Sequence, residues 1–180
     1  MNKKIPFTGQ SRFFLVGFMG AGKSYWGKEW AAQQHLSFID LDKVIEEKEK
    51  KSVAQIFEQK GEGYFREIEA QMLRSMLMYD QCIISCGGGA PCYHNNMDWI
   101  LENGTSLYLK AKPAELLENI KTDDTARPLI QDKNEAELIY YIEKLMKERE
   151  PFYEQATLIL DISDLNAMSF EKIMNKKQHA

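Results

Sequence analysis

The most informative segment of the chain is GFMGAGKS, at residues 17–24. Gly17, Gly22, Lys23 and Ser24 stand at the spacing Gly-x-x-x-x-Gly-Lys-Ser. In that pattern the backbone N–H groups of the loop surround phosphate oxygens, the lysine reaches the β- and γ-phosphates, and the serine hydroxyl binds Mg²⁺. A chance glycine turn is the alternative. We favour nucleotide binding, because an apolar run precedes the loop and a helical pattern follows it, as a phosphate loop requires.

Short apolar runs alternate with helical patterns along the rest of the chain. Strands are predicted at residues 12–18, 37–42, 82–86, 105–110 and 157–161. Helices are predicted at residues 23–34, in several pieces over 43–77, at about 96–102, from Pro113 onward, at about 134–149 with a stop before Pro151, and at the end of the chain. This alternation is typical of an α/β fold with a mostly parallel sheet. Ligands bind such sheets beyond the carboxyl ends of the strands, so chemistry is expected at residues 17–24, 40–42 and 87–89.

Some local signals refine the helices. Ser52 and Gln55 have the spacing of a capping box. Asn103 and Gly104 predict the end of a helix. Two glycines, Gly61 and Gly63, are predicted to interrupt the long helical region.

The composition of the chain limits the classes of function that it can have. A chain of 180 residues suits a single domain over residues 1–180. A formal net charge of −4 and a pI of about 5.5 do not favour a nucleic-acid partner. No signal peptide or run of membrane-span length is present, so no membrane partner is expected. Three cysteines without paired spacing argue against a disulfide framework and favour a reducing, cytoplasmic setting.

Two aspartates follow the second predicted strand. If the alternation of the strand persists, Asp40 and Asp42 point the same way, toward the glycine loop. One could hold Mg²⁺ through water, and the other could accept a hydrogen bond from a substrate hydroxyl and later its proton. Helix capping is the alternative for either residue. Because the third strand ends in Ser85 and Cys86, the magnesium acid is expected from the second strand.

Arginines and a second glycine turn complete the candidate set. Arg66 could form a helical surface pair with Glu69, or Glu69 could hold its guanidinium toward an anion. Arg149 could simply favour a helix C-terminus, and Arg127 lies in a polar segment. Beside a phosphate loop, however, arginines suit both a transferring phosphate and the bidentate grip of an acidic substrate. The glycines at 87–89 allow the backbone to approach a ligand closely.

The ordered set of motifs resembles shikimate kinase. GFMGAGKS, FIDLD, IFEQKGEGYFREIE, SCGGGAP, ARPLI and EREPFYEQA occur in this order over residues 13–156. The resemblance implies a three-layer P-loop kinase fold of the nucleoside-monophosphate-kinase type, with a five-stranded parallel sheet flanked by helices. It also implies transfer of the γ-phosphate of ATP to the 3-hydroxyl of shikimate, in aromatic amino-acid biosynthesis, with Mg²⁺ as cofactor. A monomer is expected.

The resemblance also assigns roles to residues. Catalytic roles fall on Asp42, Lys23 and Arg127. ATP would be bound by Gly20, Ala21, Gly22, Lys23, Ser24, Tyr25 and Arg127, after a loop that begins at Gly17. Shikimate would be bound by Asp42, Phe57, Phe65, Arg66, Gly87, Gly88, Gly89 and Arg149, with Glu69 supporting Arg66. Mg²⁺ would be held by Ser24 and, through water, by Asp40. The substrate-binding helical region would span residues 43–78, and a lid loop residues 121–133.

One position departs from the family pattern. Many members place an arginine that stacks on adenine seven residues before the lid arginine, where this chain has Ile120. Lys121 could replace that arginine, or adenine could rest on apolar contacts.

Two other functions stay open from sequence. A related small-molecule kinase, such as a gluconate kinase, also handles a carboxylate with hydroxyls, although the Phe65-Arg66 and triple-glycine elements favour shikimate. A nucleotide-binding regulator without catalysis is disfavoured by the presence of Lys23, Ser24, Asp42 and Arg127.

Overall fold

A five-stranded parallel sheet forms the centre of the computed structural model, which describes residues 11–122 and 134–177. The strand order is β2-β3-β1-β4-β5, and every neighbouring pair is parallel. The strands are β1 Arg12–Val16, β2 Ser37–Asp40, β3 Cys82–Ser85, β4 Thr105–Lys110 and β5 Leu158–Asp161. The predicted α/β class and all five predicted strands are confirmed, with ends that differ by at most two residues. All residues of β1 and β3 are buried, because these two strands lie inside the sheet and are covered on both faces.

Helices cover the two faces of the sheet. They are α1 Lys23–Gln34, α2 Leu41–Glu49, α3 Val53–Ser75, α4 Asn96–Asn103, α5 Pro113–Thr122, α6 Glu135–Tyr153 and α7 Ser169–Lys177, with short 3₁₀ turns at Met76–Met78, Ala90–Cys92 and Ile162–Asp164. The predicted capping box of Ser52 and Gln55 is present at the start of α3. Trp30 of α1 stacks on Trp26 and on Phe170 of α7, each at 5.6 Å between ring centroids. These rings fix α1 and α7 against each other.

The prediction that residues 37–42 form one strand is wrong at its end. The strand stops at Asp40, and α2 begins at Leu41. The Asp40 carboxylate accepts hydrogen bonds from the backbone N–H groups of Asp42 and Lys43, which caps the new helix. Asp42 therefore lies in the first turn of a helix, and its direction follows from helical geometry instead of strand alternation.

The predicted helix stop before Pro151 is also wrong, because α6 continues to Tyr153. A proline this close to a helix end removes one backbone donor, and the turn still closes through the N–H of Glu154 and the carbonyl of Glu150 at 2.9 Å. Tyr153 is fully buried, and its hydroxyl donates to the carbonyl of Gly88. This tertiary anchor holds the last turn in place.

The two glycines of the long helical region behave differently. Gly61 has φ 78° and ψ 170°, which is a region of backbone space that only glycine occupies readily, and α3 kinks there. Gly63 keeps the helical conformation, so the prediction that it also interrupts the helix is wrong. The second part of α3, which carries Phe65, Arg66 and Glu69, therefore takes a direction of its own.

The topology places a crevice beside β1. The chain leaves β1 toward β2 and leaves β3 toward β4, on opposite sides, so the loops after β1 and β3 diverge. This divergence is the switch point at which α/β sheets bind ligands. Within the described ranges, no helix is both long and apolar enough to cross a membrane.

Candidate active site

The glycine loop between β1 and α1 opens at this switch point. Gly17, Gly20 and Gly22 have φ values of 138°, 81° and 80°, which let the backbone fold tightly between the strand and the helix. Ala21 is buried, and its N–H donates to the carbonyl of Phe18 at 3.3 Å. The N-terminus of α1 thus faces the loop, as anion binding requires.

Lys23 lies inside its own loop. Its Nζ donates to the carbonyl oxygens of Gly17 and Phe18, at 2.9 Å and 2.8 Å, and the side chain is buried. The phosphate groups of a nucleotide are the acceptors that could replace these carbonyls. Tyr25, predicted to bind ATP, is exposed and packs edge-on against Trp26.

Three oxygen side chains meet beside the start of α1. Ser24 Oγ donates to Asp40 Oδ2 at 2.8 Å and lies 3.2 Å from Ser85 Oγ. Hydroxyl and carboxylate oxygens suit Mg²⁺, which takes its remaining ligands from water and from substrate phosphates. Among the described residues no group of three or more His, Cys, Asp and Glu side chains forms a metal cage. The oxygen set at Ser24 and Asp40 therefore fits a magnesium–nucleotide site.

Two carboxyl groups converge on Gly87. Asp42 Oδ1 and Glu69 Oε1 are shielded from solvent and have no hydrogen-bond partner within the described residues. A Cβ at Gly87 would lie 2.8 Å from Glu69 Oε1 and 2.9 Å from Asp42 Oδ1, so both oxygens lie beside this glycine. They are available to accept hydrogen bonds from a ligand.

Burial raises the pKa values of both carboxyl groups. Loss of solvent raises the pKa of Asp42 from 3.8 to about 6, and the charge of Asp40 adds to the rise against the opposing effect of Lys23. Asp42 is half-buried as a residue, but its Oδ1 is shielded from solvent, and the surroundings of the carboxyl group are what set this pKa. Burial likewise raises the pKa of Glu69 to about 7, against the opposing charge of Arg66.

Two buried arginines complete the pocket. Arg66 Nη1 donates to Glu69 Oε2 at 2.8 Å, and Arg66 Nη2 donates to Glu62 Oε1 at 3.0 Å. Arg149 is buried at the end of α6, and its Cζ lies 5.8 Å from the ring centroid of Phe18. The pocket therefore holds two cations that could bind an anionic ligand.

The triple glycine lies between these charged groups. Gly87 faces Asp42 and Glu69, Gly88 lies 3.7 Å (from its Cβ position) from Arg149 Nη1, and Gly89 lies against the Arg66 guanidinium. A Cβ at Gly89 would be 2.5 Å from Arg66 Nη2. Side chains at Gly87 or Gly89 would thus occupy the space of the charged groups themselves.

The structure brings nearly all the predicted site residues to one edge of the sheet. Phe57 and Phe65 pair at 4.6 Å between centroids, with the Arg66 guanidinium 5.8 Å and 5.2 Å from their rings. Arg127 and positions 123–133 of the expected lid lie outside the described residues.

Three residues that contribute to the pocket were not predicted from the sequence. Glu62 binds Arg66, Tyr93 stacks on Arg66 at 4.5 Å, and Tyr153 holds the carbonyl of Gly88. The i,i+4 spacing of Glu62 and Arg66 was a usable signal. Nothing in the sequence joins Tyr93 to a helix 27 residues earlier.

The structure shows what Ile120 contacts in place of the arginine that many family members have at this position. Ile120 is buried, and its Cγ1 would lie 2.9 Å from a Cβ at Gly20. Asn119 Nδ2 donates to the carbonyl of Gly20 at 2.8 Å, and Lys121 pairs with Glu135. Helix α5 therefore contacts the phosphate loop through an apolar side chain and an amide.

The fold and the site together define a class of protein. A parallel sheet in the order β2-β3-β1-β4-β5, with a phosphate loop at its switch point and helices on both faces, is the P-loop kinase fold. A pocket of buried charge directly beside that loop indicates a kinase whose acceptor is a small charged molecule.

Comparison with known proteins gives the particular family. Residues 19–178 match the family model for shikimate kinase. The shikimate kinase of Parabacteroides distasonis is 43% identical over 150 residues, which cover 83% of this chain and 87% of the relative. The chain therefore belongs to the shikimate kinase family, and the resemblance seen in the sequence is confirmed.

Solved structures agree with this assignment. The crystal structure of shikimate kinase from Bacteroides thetaiotaomicron is 36% identical, with a TM-score of 0.86 over 95% of this chain and 98% of that one. Shikimate kinase from Acinetobacter baumannii, solved in complex with shikimate, is 28% identical, with a TM-score of 0.85 over 96% of each chain.

Proposed function

We propose that this protein transfers the γ-phosphate of ATP to the 3-hydroxyl of shikimate, which gives shikimate 3-phosphate and ADP for aromatic amino-acid biosynthesis. The observation that carries the proposal is the packing of four charged side chains around residues 87–89, directly beside a phosphate loop. Membership of the shikimate kinase family supports the reaction, and the shikimate-bound Acinetobacter baumannii relative supports the acceptor.

The pocket matches the chemistry of shikimate. Its one carboxylate would pair with Arg66 and Arg149, which are both buried and therefore interact strongly with an anion. Its hydroxyl groups would donate to the unpartnered oxygen of Asp42 beside Gly87. Phe65 and Phe57 flank the arginine and would border the ring of the acceptor.

The phosphate loop would hold ATP. Lys23, now bound to two loop carbonyls, would donate instead to the β- and γ-phosphates. Ser24 and, through water, Asp40 would hold Mg²⁺, which when bound offsets the negative charge of the phosphates. Arg127 is assigned to the same phosphates by its place in the family pattern.

Transfer forms a bond from the shikimate oxygen to the γ-phosphorus and breaks the bond from that phosphorus to the β–γ bridging oxygen. Asp42 would orient the attacking hydroxyl and take its proton late in the transfer. A pKa of about 6 in the free protein makes Asp42 largely ionised at neutral pH and still basic enough for this role. Lys23 would stabilise charge on the moving phosphoryl group.

The experiment that tests the proposal measures ADP release from Mg-ATP with shikimate, with gluconate and with no acceptor. We expect release that depends on shikimate, and a ³¹P spectrum of the product with the phosphorus coupled to the proton at C3. Release with gluconate alone would overturn the acceptor assignment. ATP binding without release in any arm would instead indicate a non-catalytic nucleotide-binding protein.

Variants of α6 test the acceptor pocket. Arg149→Ala removes a charge-assisted contact to the carboxylate, so the KM for shikimate should rise roughly ten- to a hundredfold, with little change in the KM for ATP. Lys147→Ala is the matched control, because Lys147 is an exposed cation half a turn away on the same helix. An unchanged KM for shikimate in Arg149→Ala would remove this residue from the pocket.

Three further expectations belong to this proposal. The protein is expected to act as a monomer in the cytoplasm. The expected lid loop of residues 121–133 begins later than predicted, because Lys121 and Thr122 end helix α5. The remaining positions, 123–133, are expected to close on the bound substrates and exclude water from the phosphoryl group. Residues 1–180 are expected to form one domain.

A further inference from the structure

The guanidinium of Arg66 is held on its edges by two carboxylates. Glu69 Oε2 accepts from Nη1 at 2.8 Å, and Glu62 Oε1 accepts from Nη2 at 3.0 Å and from Nε at 3.2 Å. An arginine has five N–H donors, and these bonds use three of them. Among the described residues, one N–H on each terminal nitrogen is left to donate to a further acceptor.

The face of the same guanidinium is covered by Tyr93. The Arg66 Cζ lies 4.5 Å from the Tyr93 ring centroid, which is closer than its 5.2 Å to Phe65 and 5.8 Å to Phe57. The Tyr93 hydroxyl also donates to Glu62 Oε1, at a long 3.3 Å. Tyr93 is 37% exposed, so its ring adds little to the core, and its main described partners are this arginine and its carboxylate.

A left-handed turn delivers Tyr93 to this position. His94 and Asn95 follow it with φ values of 51° and 53°, a conformation that is uncommon for non-glycine residues and that asparagine and histidine adopt more readily than most. Such conformations persist only where the surroundings enforce them, and they concentrate at functional sites.

The surroundings that enforce the turn belong to α3, the helix that also carries Arg66. Arg74 Nη2 donates to the carbonyl of His94 at 2.9 Å, and Arg74 Nη1 donates to Asn96 Oδ1. Asn96 is fully buried, and its Nδ2 donates to the carbonyl of Ala90 at 2.7 Å. Helix α3 thus fixes both the arginine and the loop that places an aromatic ring on it.

We propose that Tyr93 is a positioning residue for Arg66. Its ring keeps the guanidinium in the plane in which the two remaining N–H groups face the carboxylate of the acceptor. This inference rests on the proposed function, in which Arg66 binds that carboxylate. Without the ring, Glu69 still holds one terminal nitrogen, but the other edge depends on Glu62 alone, which is about half exposed and directly follows the kink at Gly61.

The test compares shikimate with its methyl ester, which lacks the carboxylate charge, in Tyr93→Ala, Tyr93→Phe and the unmodified protein. We expect Tyr93→Ala to raise the KM for shikimate about fivefold, as the loss of one cation–π contact implies, without change in kcat or in the KM for ATP. The kinetics with the ester should not change. Tyr93→Phe keeps the ring and should restore the KM for shikimate.

Tyr140→Ala is the matched control, because Tyr140 is an exposed tyrosine on α6. An unchanged KM for shikimate in Tyr93→Ala would overturn the inference, as would an equal loss with the ester. Failure of Tyr93→Phe to restore the KM would also overturn it, because the hydroxyl and not the ring would then act. If the unmodified protein showed no shikimate-dependent turnover, the proposed function itself would fail and the inference with it.

Discussion

Asp42→Asn should stabilise the folded protein while it abolishes most of the activity. The substitution keeps the shape of a side chain whose Oδ1 is shielded from solvent and unpartnered within the described residues, and it removes the charge. Burial raises the pKa of this carboxyl group from 3.8 to about 6, so the folded protein disfavours its ionised form. An asparagine at this position does not carry that penalty.

The sign and size of the effect depend on pH. Because the folded-state pKa is higher than that of the unfolded chain, the folded protein binds more protons between pH 3.8 and about 6, and its stability falls as pH rises through this window. The loss of stability caused by the buried charge is complete above about pH 6 and small below pH 3.8. At 1.36 kcal/mol per pKa unit, removing the charge should stabilise the protein on the order of 3 kcal/mol at pH 8, or about 6–12 °C in Tm.

Thermal unfolding in EDTA and without nucleotide measures this effect directly. The Tm difference between Asp42→Asn and the unmodified protein should be small at about pH 4 and grow to its full value by about pH 8. Glu143→Gln is the control, because it removes one exposed carboxylate from α6 and should give no growing difference. A variant that is destabilised throughout, or a difference that shrinks as pH rises, would refute burial as the dominant effect. Turnover should fall roughly 10²- to 10⁴-fold in the same variant.

Three further outcomes follow from the same geometry. Gly61→Ala should lower the free energy of unfolding by about 1–3 kcal/mol, because φ at this position is 78°, although no atom lies within 4 Å of the new Cβ. Gly63→Ala is the matched control, because this position is helical and equally open. It should raise the free energy of unfolding by about 0.5–1 kcal/mol in the same denaturant titration. Gly89→Ala places a Cβ 2.5 Å from Arg66 Nη2, so kcat/KM for shikimate should fall roughly 100-fold at unchanged KM for ATP, and an unchanged value would contradict the contact. A plot of kcat/KM for shikimate against pH should fall on the acid side through about 6, where Asp42 becomes protonated, and a flat profile there would remove Asp42 as the base.

The fold could be predicted from the sequence because its signals are local. Buried parallel strands appear as short apolar runs. The errors had different causes. The second strand ended early because Asp40 caps the next helix, whereas the helix stop before Pro151 was overridden by a tertiary contact. Pro151 did not end α6 because Tyr153, two residues later, is anchored to Gly88.

Part of the candidate site could also be predicted from the sequence. Lys23, Ser24 and residues 87–89 could be placed together, because the carboxyl ends of parallel strands meet at one edge of the sheet. The orientation of Asp42 could not, because it depends on the helix that Asp40 caps. The contact between Tyr93 and Arg66 was also out of reach, since it depends on the left-handed turn at His94 and Asn95.

The distribution of charge explains why an acidic protein can bind an acidic acceptor. The chain carries a formal net charge of −4, and yet Lys23, Arg66 and Arg149 are buried on one side of the triple glycine. Each buried cation interacts in a medium of low dielectric constant, so its local field outweighs that of the solvated surface carboxylates. Glu62 and Glu69 both pair with Arg66, but burial raises the pKa of Glu69 to about 7, so Glu69 is only partly ionised near neutral pH and offsets the arginine in part.

A ligand that donates to Asp42 would offset a cost of folding. Asp42 Oδ1 and Glu69 Oε1 have no hydrogen-bond partner within the described residues, and a buried carboxylate oxygen without a partner costs free energy. An acceptor that brings hydroxyl donors to Asp42 and a carboxylate to the arginines would lower that cost when it binds. Binding of that acceptor should therefore raise Tm, and it should do so less in Asp42→Asn, where part of the cost has already been removed.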